Sequence, residues 1–329
     1  MSEHPVREFI DHHFLHYNAR ELSACARALR AHLDAGGKLM VTLAGAMSTA
    51  RIGRTLARMI RAGHVHAVTC TGANLEEDVF ALLAADRYEA LPDWRALSAA
   101  DEQALYERGM NRVTDTAIPE DVMNQVAGRL RTLWEEAAAG GRRLFPAQML
   151  FEVLGDPGLA DHFVLDPAES WLVAAKQAGI PVYTPGWEDS TLGNMFTAWC
   201  VKAGHDAHPV LRPGTEALAH LAGWYRTASS PGDRSKPSVG FFQVGGGIAG
   251  DFPICAVPML IQDLHEGDTR FWGFFAQISD AVTSYGGYSG AVPNEKITWG
   301  KLAPETPKFM IQSDATIVAP LIFAHVLGD

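Results

Sequence analysis

Two stretches of the chain repeat one order, and that order restricts the fold more than any other feature. Residues 38–43 (KLMVTL) form a short apolar run, 44–48 (AGAMS) a turn of small residues, and a helical pattern runs on to about Ala62 with Ser48 or Thr49 as its cap. Residues 66–70 (HAVTC) repeat the run, and 71–78 (TGANLEED) open another helix. Strand, small-residue turn and helix in succession are the rhythm of a parallel sheet with helical crossovers. Further strands are expected at 180–184 (IPVYT), 240–244 (GFFQV), 272–278 (WGFFAQI) and 308–312 (KFMIQ), with helices at 18–35, from Thr191, at 213–227 and after 313–315. The segment from about 90 to 178 reads as a mainly helical insertion. The expected fold is therefore α/β: a single unit over 1–329, built on a doubly wound, mostly parallel, Rossmann-like sheet.

The bulk properties exclude several function classes. A formal net charge of −11 argues against nucleic acid, which needs a basic face. No run approaches the ~18 apolar residues of a membrane span, and the first residues (MSEHPVREFIDHH) lack the apolar core of a signal peptide. No membrane association and a cytoplasmic location are expected. Cys25, Cys70, Cys200 and Cys255 are scattered, without metal-ligand spacing, and read as buried free thiols. His12 and His16 are spaced for one helix face, but no third ligand is in view and no metal site is assigned.

In open parallel sheets ligands bind beyond the carboxyl ends of the strands. Four such ends carry small or polar residues: 44–49, 71–77, 245–247 and 313–315. Gly245-Gly246-Gly247 has no side chains to hold a pyrophosphate away from backbone N–H groups, and the helix start after 71 offers its positive dipole end. Asp314 is placed to accept from an adenine amino group or a ribose hydroxyl. The usual G-x-G-x-x-G spacing is absent, so an ordinary Rossmann dehydrogenase is not supported. Tight packing is the plainer explanation of each glycine turn taken alone; Glu76 and Glu77 also suit a first helical turn, and Asp189 a cap. The segment 289–301 (SGAVPNEKITWGK) sets Lys301 two residues after Trp299 and six after Glu295. A lysine in a dry aromatic pocket can be partly neutral and form an imine. A solvated lysine beside a packed tryptophan is the plainer alternative.

Taken together, 71–78, Asn111-Arg112, 189–194 (DSTLGN), 245–247, 289–301 and 313–315 resemble the deoxyhypusine synthase family, over about residues 5–328. The resemblance implies an NAD-dependent transfer of a 4-aminobutyl group from spermidine. The carbon beside the secondary amine is oxidised, the lysine matched by Lys301 takes the group as an imine, 1,3-diaminopropane leaves, and an acceptor amine receives the group. Trp299 would stack on the polyamine with cation–π attraction, Glu295 would hold a terminal amine, and Asp189 would act at cofactor or substrate. Gly45, Ala46, Thr49, Thr71, Gly72, Ala73, Glu77, Gly245, Gly246, Ser289, Asp314 and Ala315 match cofactor-lining positions. A homotetramer with sites at subunit interfaces is implied as well.

The chain departs from that family where it would face the amine. The family's Lys-His-His becomes Gly250, Asp251 and Phe252, so its active-site histidine is Asp251. A carboxylate can bind an ammonium or take a proton, but ordinarily titrates near ~4. The acids expected at Asn194 and Tyr288 are missing. The substrate-facing charge is rearranged, which points to a changed substrate or acceptor. The Ala-, Arg- and Gly-rich composition resembles that of high-GC bacterial proteins, and bacteria generally lack the translation factor that carries hypusine. The expected acceptor is a small amine such as putrescine, giving homospermidine. Modification of a protein lysine and a catalytically weakened NAD- or polyamine-binding homologue are the alternatives.

Overall fold

A computed structural model of the protein describes residues 4–282 and 286–329; the first three residues of the expected 1–329 unit lie outside them. The fold is mixed α/β. The described residues contain nine strands: β1 Leu39–Leu43, β2 Ala67–Cys70, β3 Glu89–Ala90, β4 Met110–Val113, β5 Thr116–Pro119, β6 Val182–Tyr183, β7 Gly240–Val244, β8 Phe274–Ile278 and β9 Lys308–Ile311. Six of them form a sheet in the order β6-β2-β1-β7-β8-β9, with every pairing parallel. The chain builds outward from β1 through β2 to β6, then returns to start β7 on the other side of β1. The strand order thus changes direction at β1 and β7, and it is at such switch points that open parallel sheets place ligands.

Alternation along the strands sends side chains to two cores. Val41, Leu43, Phe242, Val244, Phe274 and Ile278 pack on one face, against the helices Tyr17–Asp34, Gly53–Arg61 and Ala315–Leu327. Met40, Phe241 and Phe275 point the other way, to Tyr225 and Leu221 of the helix Gly214–Ala228 and to the buried Trp272. Because both faces are covered, the strands read as nearly continuous apolar runs rather than as polar–apolar alternation. Register aligns Cys70, Leu43, Val244, Ile278 and Ile311 in one row. The turns that follow those residues therefore emerge along a single edge.

Four local expectations change. Neither Ser48 nor Thr49 caps a helix: the Ser48 hydroxyl donates to the Asn74 carbonyl, and the helix starts only at Gly53. The segment around 90–178 also contains a three-stranded sheet, β3-β5-β4, closed by a two-residue turn at Thr114 and Asp115. Thr114 adopts a φ of 55°, a left-handed conformation for which a threonine gives no sequence signal. His12 and His16 do not share a helix, because one helix ends at His13 and His16 precedes the next. All four cysteines are free, but Cys255 is only partly buried.

Candidate active site

A pocket of about 370 Å³ lies beside the sheet, lined among others by Asp251, Cys255, Tyr288, Glu295, Lys296, Trp299 and Lys301. Two chain segments build it. The helix Gly247–Ile254 leaves the glycine turn after β7 and carries Asp251. The short helix Glu295–Thr298 ends in a left-handed Gly300, with φ 67°. There the Lys301 N–H returns to the Lys296 carbonyl at 3.0 Å and the Gly300 N–H to the Ile297 carbonyl. This reversal is the glycine-terminated helix stop in which crossed bonds satisfy the last carbonyls. It turns Lys301 inward while Trp299, at the cap, stays 63% exposed.

Lys301 is buried, and its Nζ donates to Asp251 Oδ1 at 3.0 Å. Its nearer aromatic neighbour is Tyr288, 5.5 Å from Nζ to the ring centroid, against 6.0 Å for Trp299. The aromatic wall expected of Trp299 is thus shared with Tyr288, at a position where the resemblance calls for an acid. The Tyr288 hydroxyl donates to Gln243 Oε1 at 2.9 Å, and burial pushes its phenol well above the ordinary range. A Cβ on residue 250 would fall 2.8 Å from the Gln243 side chain and 3.1 Å from the Tyr288 ring. Gly250 and Tyr288 are therefore complementary departures: the missing side chain makes room for the tyrosine–glutamine bond. Gln243 Nε2 in turn donates to the Gly245 carbonyl at 3.0 Å, which joins the pocket to the glycine turn.

The residues matched to cofactor-lining positions follow β1, β2, β7, β8 and β9 in sequence, at the sheet's carboxyl edge. Thr71 Oγ1 donates to the Gly45 carbonyl at 2.7 Å, and Thr71 also caps the helix Gly72–Ala84. Ser289 Oγ accepts from the Gly247 N–H at 3.2 Å. A Cβ on Gly246 would lie 2.0 Å from Ser289 Oγ and 2.8 Å from its Cα, so only glycine fits there. Asp314 caps the helix Ala315–Leu327 through the Thr316 N–H. Among the described residues the buried Thr49 Oγ1 and Gln277 Oε1 find no hydrogen-bond partner, and buried polar atoms rarely go unsatisfied. A glycine turn, a left-handed Gly45 and orphaned polar atoms make an arrangement that fits a polar, phosphate-bearing cofactor.

Glu76 and Glu77 are not first-turn charges. Glu76 accepts from the Thr191 and Leu192 N–H groups at 3.0 and 2.8 Å, capping the helix Thr191–Ala203. Glu77 accepts from the Thr49 N–H at 3.2 Å, and burial raises its carboxyl to about 7. Its folded value lies above the unfolded value of about 4.3, so the native state keeps a proton that the unfolded chain has shed. Stability from this group is greatest below pH ~4.3, falls as pH rises through the window up to about 7, and is then constant. Glu77→Gln removes about 3 kcal/mol of that pH dependence, as an order of magnitude. Urea unfolding at pH 5 and pH 8 should show the variant gaining on the parent much more at pH 8 than at pH 5. An equal gain at both pH values would contradict this account. Asp78, which burial raises to about 6, retains its own smaller slope.

Not every expected site residue meets at Lys301. Asn194 donates through Nδ2 to the Glu188 and Ser190 carbonyls, and neither it nor Asp189 lines the pocket. Conversely, Lys296, Asn74 and the two buried glutamines were not singled out in the sequence. Lys296 is 3% exposed and shares the pocket with Lys301. Asn74, fully buried, joins the turn after β1 to the start of the helix Gly72–Ala84. The only advance signal was that Lys296 and Asn74 lie inside the two longest matching motifs.

A family model for deoxyhypusine synthase matches residues 12–326. The chain is 29% identical to a deoxyhypusine synthase-like protein of Cyanothece sp., over 98% of this chain and 79% of that protein. It is 26% identical to an Archaeoglobus fulgidus protein named "Probable deoxyhypusine synthase 1", over 94% of this chain and 90% of that protein. Its fold resembles the crystal structure of a candidate deoxyhypusine synthase from Entamoeba histolytica, with a TM-score of 0.55 and 12% identity, covering 94% of this chain and 87% of that one.

Proposed function

The chain belongs to the deoxyhypusine synthase family, and on that premise we propose that it is an NAD-dependent aminobutyl transferase acting on polyamines. The observation that carries this reading is Lys301, a buried amine held by a carboxylate inside a pocket joined to a glycine turn. In this reading the sheet is doubly wound and Rossmann-like, and NAD lies at the switch point between β1 and β7. Gly45, Thr71, Gly245, Gly246 and Ser289 would line it, with Asp314 at its rim. NAD would supply reversible two-electron oxidation at the amine carbon.

The chain's own residues do the rest. Asp251 holds the Lys301 nitrogen in place, and Glu295 offers a carboxylate to a substrate ammonium. Tyr288 and Trp299 present aromatic faces to a cationic chain. The neutral Lys301 nitrogen takes the aminobutyl carbon as an imine with loss of 1,3-diaminopropane, an acceptor amine then displaces Lys301, and the two electrons removed at the start would return to the new C=N bond. We propose putrescine as that acceptor, with homospermidine as product, because the carboxylates expected at Asn194 and Tyr288 are missing. Asp189 and Asn194 would contribute through a homotetramer with interfacial sites; a monomer mass by light scattering would remove that part. The decisive assay supplies NAD, spermidine and putrescine and looks for 1,3-diaminopropane and homospermidine by mass spectrometry. Binding of NAD without either product would contradict the proposal. No helix among the described residues is long and apolar enough to cross a membrane.

A further inference from the structure

Lys301 is not the pocket's only lysine. Lys296 lines the same cavity and is even more buried, 3% exposed against 7%. Its Nζ lies 4.9 Å from the ring centroids of both Phe275 and Tyr288, and Lys301 Nζ lies 5.5 Å from that same Tyr288 ring. The two amines differ in how they are held. Lys301 has a carboxylate at 3.0 Å; Lys296 has a long hydrogen bond, 3.4 Å, to the Ala291 carbonyl. Among the described residues no carboxylate lies within ion-pair reach of Lys296. Two ammonium groups in one buried pocket repel, and the one without a counter-ion is the one that gives up its proton.

We propose that Lys296 is the acid–base partner of Lys301, accepting the proton that the Lys301 ammonium must lose before its nitrogen attacks carbon. The inference rests on Lys301 as nucleophile; Asp251, at the position of the family's active-site histidine, is engaged in holding Lys301, and Lys296 is not among the residues the resemblance carries over. An N–H bond on Lys301 breaks and leaves its electron pair on that nitrogen. The Lys296 lone pair takes the proton, and one positive charge moves between the amines. The Lys301 lone pair then bonds to the electrophilic carbon. The displaced π pair stays on the heteroatom, which the Lys296 proton can neutralise.

The groups around Lys296 agree with this role. Burial, the largest influence, and the Lys301 charge bring its amine down to about 8, against the opposing pull of Glu295 and Asp251. Roughly a tenth of it is then neutral at pH 7. The other candidates are poorly suited. Burial raises both the Tyr288 phenol and the Cys255 thiol. Asp251 already accepts from Lys301, and Cys255 Sγ lies 3.7 Å from the same oxygen.

The test needs neither NAD nor a polyamine. The whole protein is treated with propanal and cyanoborohydride across pH 6–10, and the alkylated lysine is mapped by mass spectrometry. Wild type should label at Lys301, with a rate that rises about a midpoint near 8. Lys296→Met should slow Lys301 labelling roughly 10²-fold at pH 7.5 and move the midpoint upward. Lys296→Arg keeps a cation but has no usable base, and should be as slow as Lys296→Met. Primary labelling at Lys296, or a wild-type rate in Lys296→Arg, would overturn the proposal. So would a wild-type profile without inflection between pH 7 and 9, which needs no variant to fold. Failure of aminobutyl transfer would leave this result standing, and the reverse also holds.

Discussion

Lys301→Arg should remove turnover while leaving the protein folded. Arginine keeps a cation opposite Asp251, so the ion pair at the pocket floor has a successor. It provides no neutral amine near neutral pH, so no imine forms. The expected fall in kcat is on the order of 10³-fold or more, the scale of removing a nucleophile. Unfolding free energy should change by less than about 2 kcal/mol, the cost of modest overpacking at a largely buried site. Initial rates of 1,3-diaminopropane release and a urea melt read the two quantities separately. Turnover within tenfold of the parent would remove Lys301 from the chemistry.

Asn74→Ala should cause the largest loss of stability. The Asn74 side chain accepts from the Ser48 N–H at 2.9 Å. Its amide nitrogen has two protons and lies 2.8 Å from both the Gly45 carbonyl and Thr71 Oγ1. Truncation leaves the buried Ser48 N–H without its partner, and leaves the Gly45 carbonyl and the Thr71 hydroxyl only their bond to each other. Each such group costs ~1–3 kcal/mol, so a total of about 3–5 kcal/mol is expected. The same loss frees Gly45 and Thr71, so NAD affinity should fall with stability. Chemical denaturation and a ligand titration would show it; a change below about 1 kcal/mol would mean that the turn holds itself.

The sheet was legible because its strands are buried on both faces. GFFQV at β7 is apolar except for the buried Gln243, and its observed bounds match those expected. The three-stranded sheet was not legible, since its turn rests on Thr114 rather than on a glycine or asparagine. The start of the helix Gly53–Arg61 was misplaced for a different reason. Ser48 looks like a cap locally, but Asn74, 26 residues away, claims both its N–H and its hydroxyl. At the site, the 289–301 segment pointed to Lys301 and the family resemblance to Asp251, and the fold brings them to 3.0 Å. Lys296 carries no sequence signal of its own beyond lying inside the 289–301 motif. Only the chain reversal at Gly300 places it with Lys301 in the pocket.

The central claim is that Lys301 carries the aminobutyl group. Its most direct measurement is borohydride reduction of the protein during reaction with NAD and spermidine, followed by mapping of the peptide that contains residues 289–301. The account predicts one aminobutyl adduct, on Lys301, formed only when NAD and spermidine are both present. An unmodified Lys301 under conditions where both ligands bind, or an adduct that forms without NAD, would contradict it.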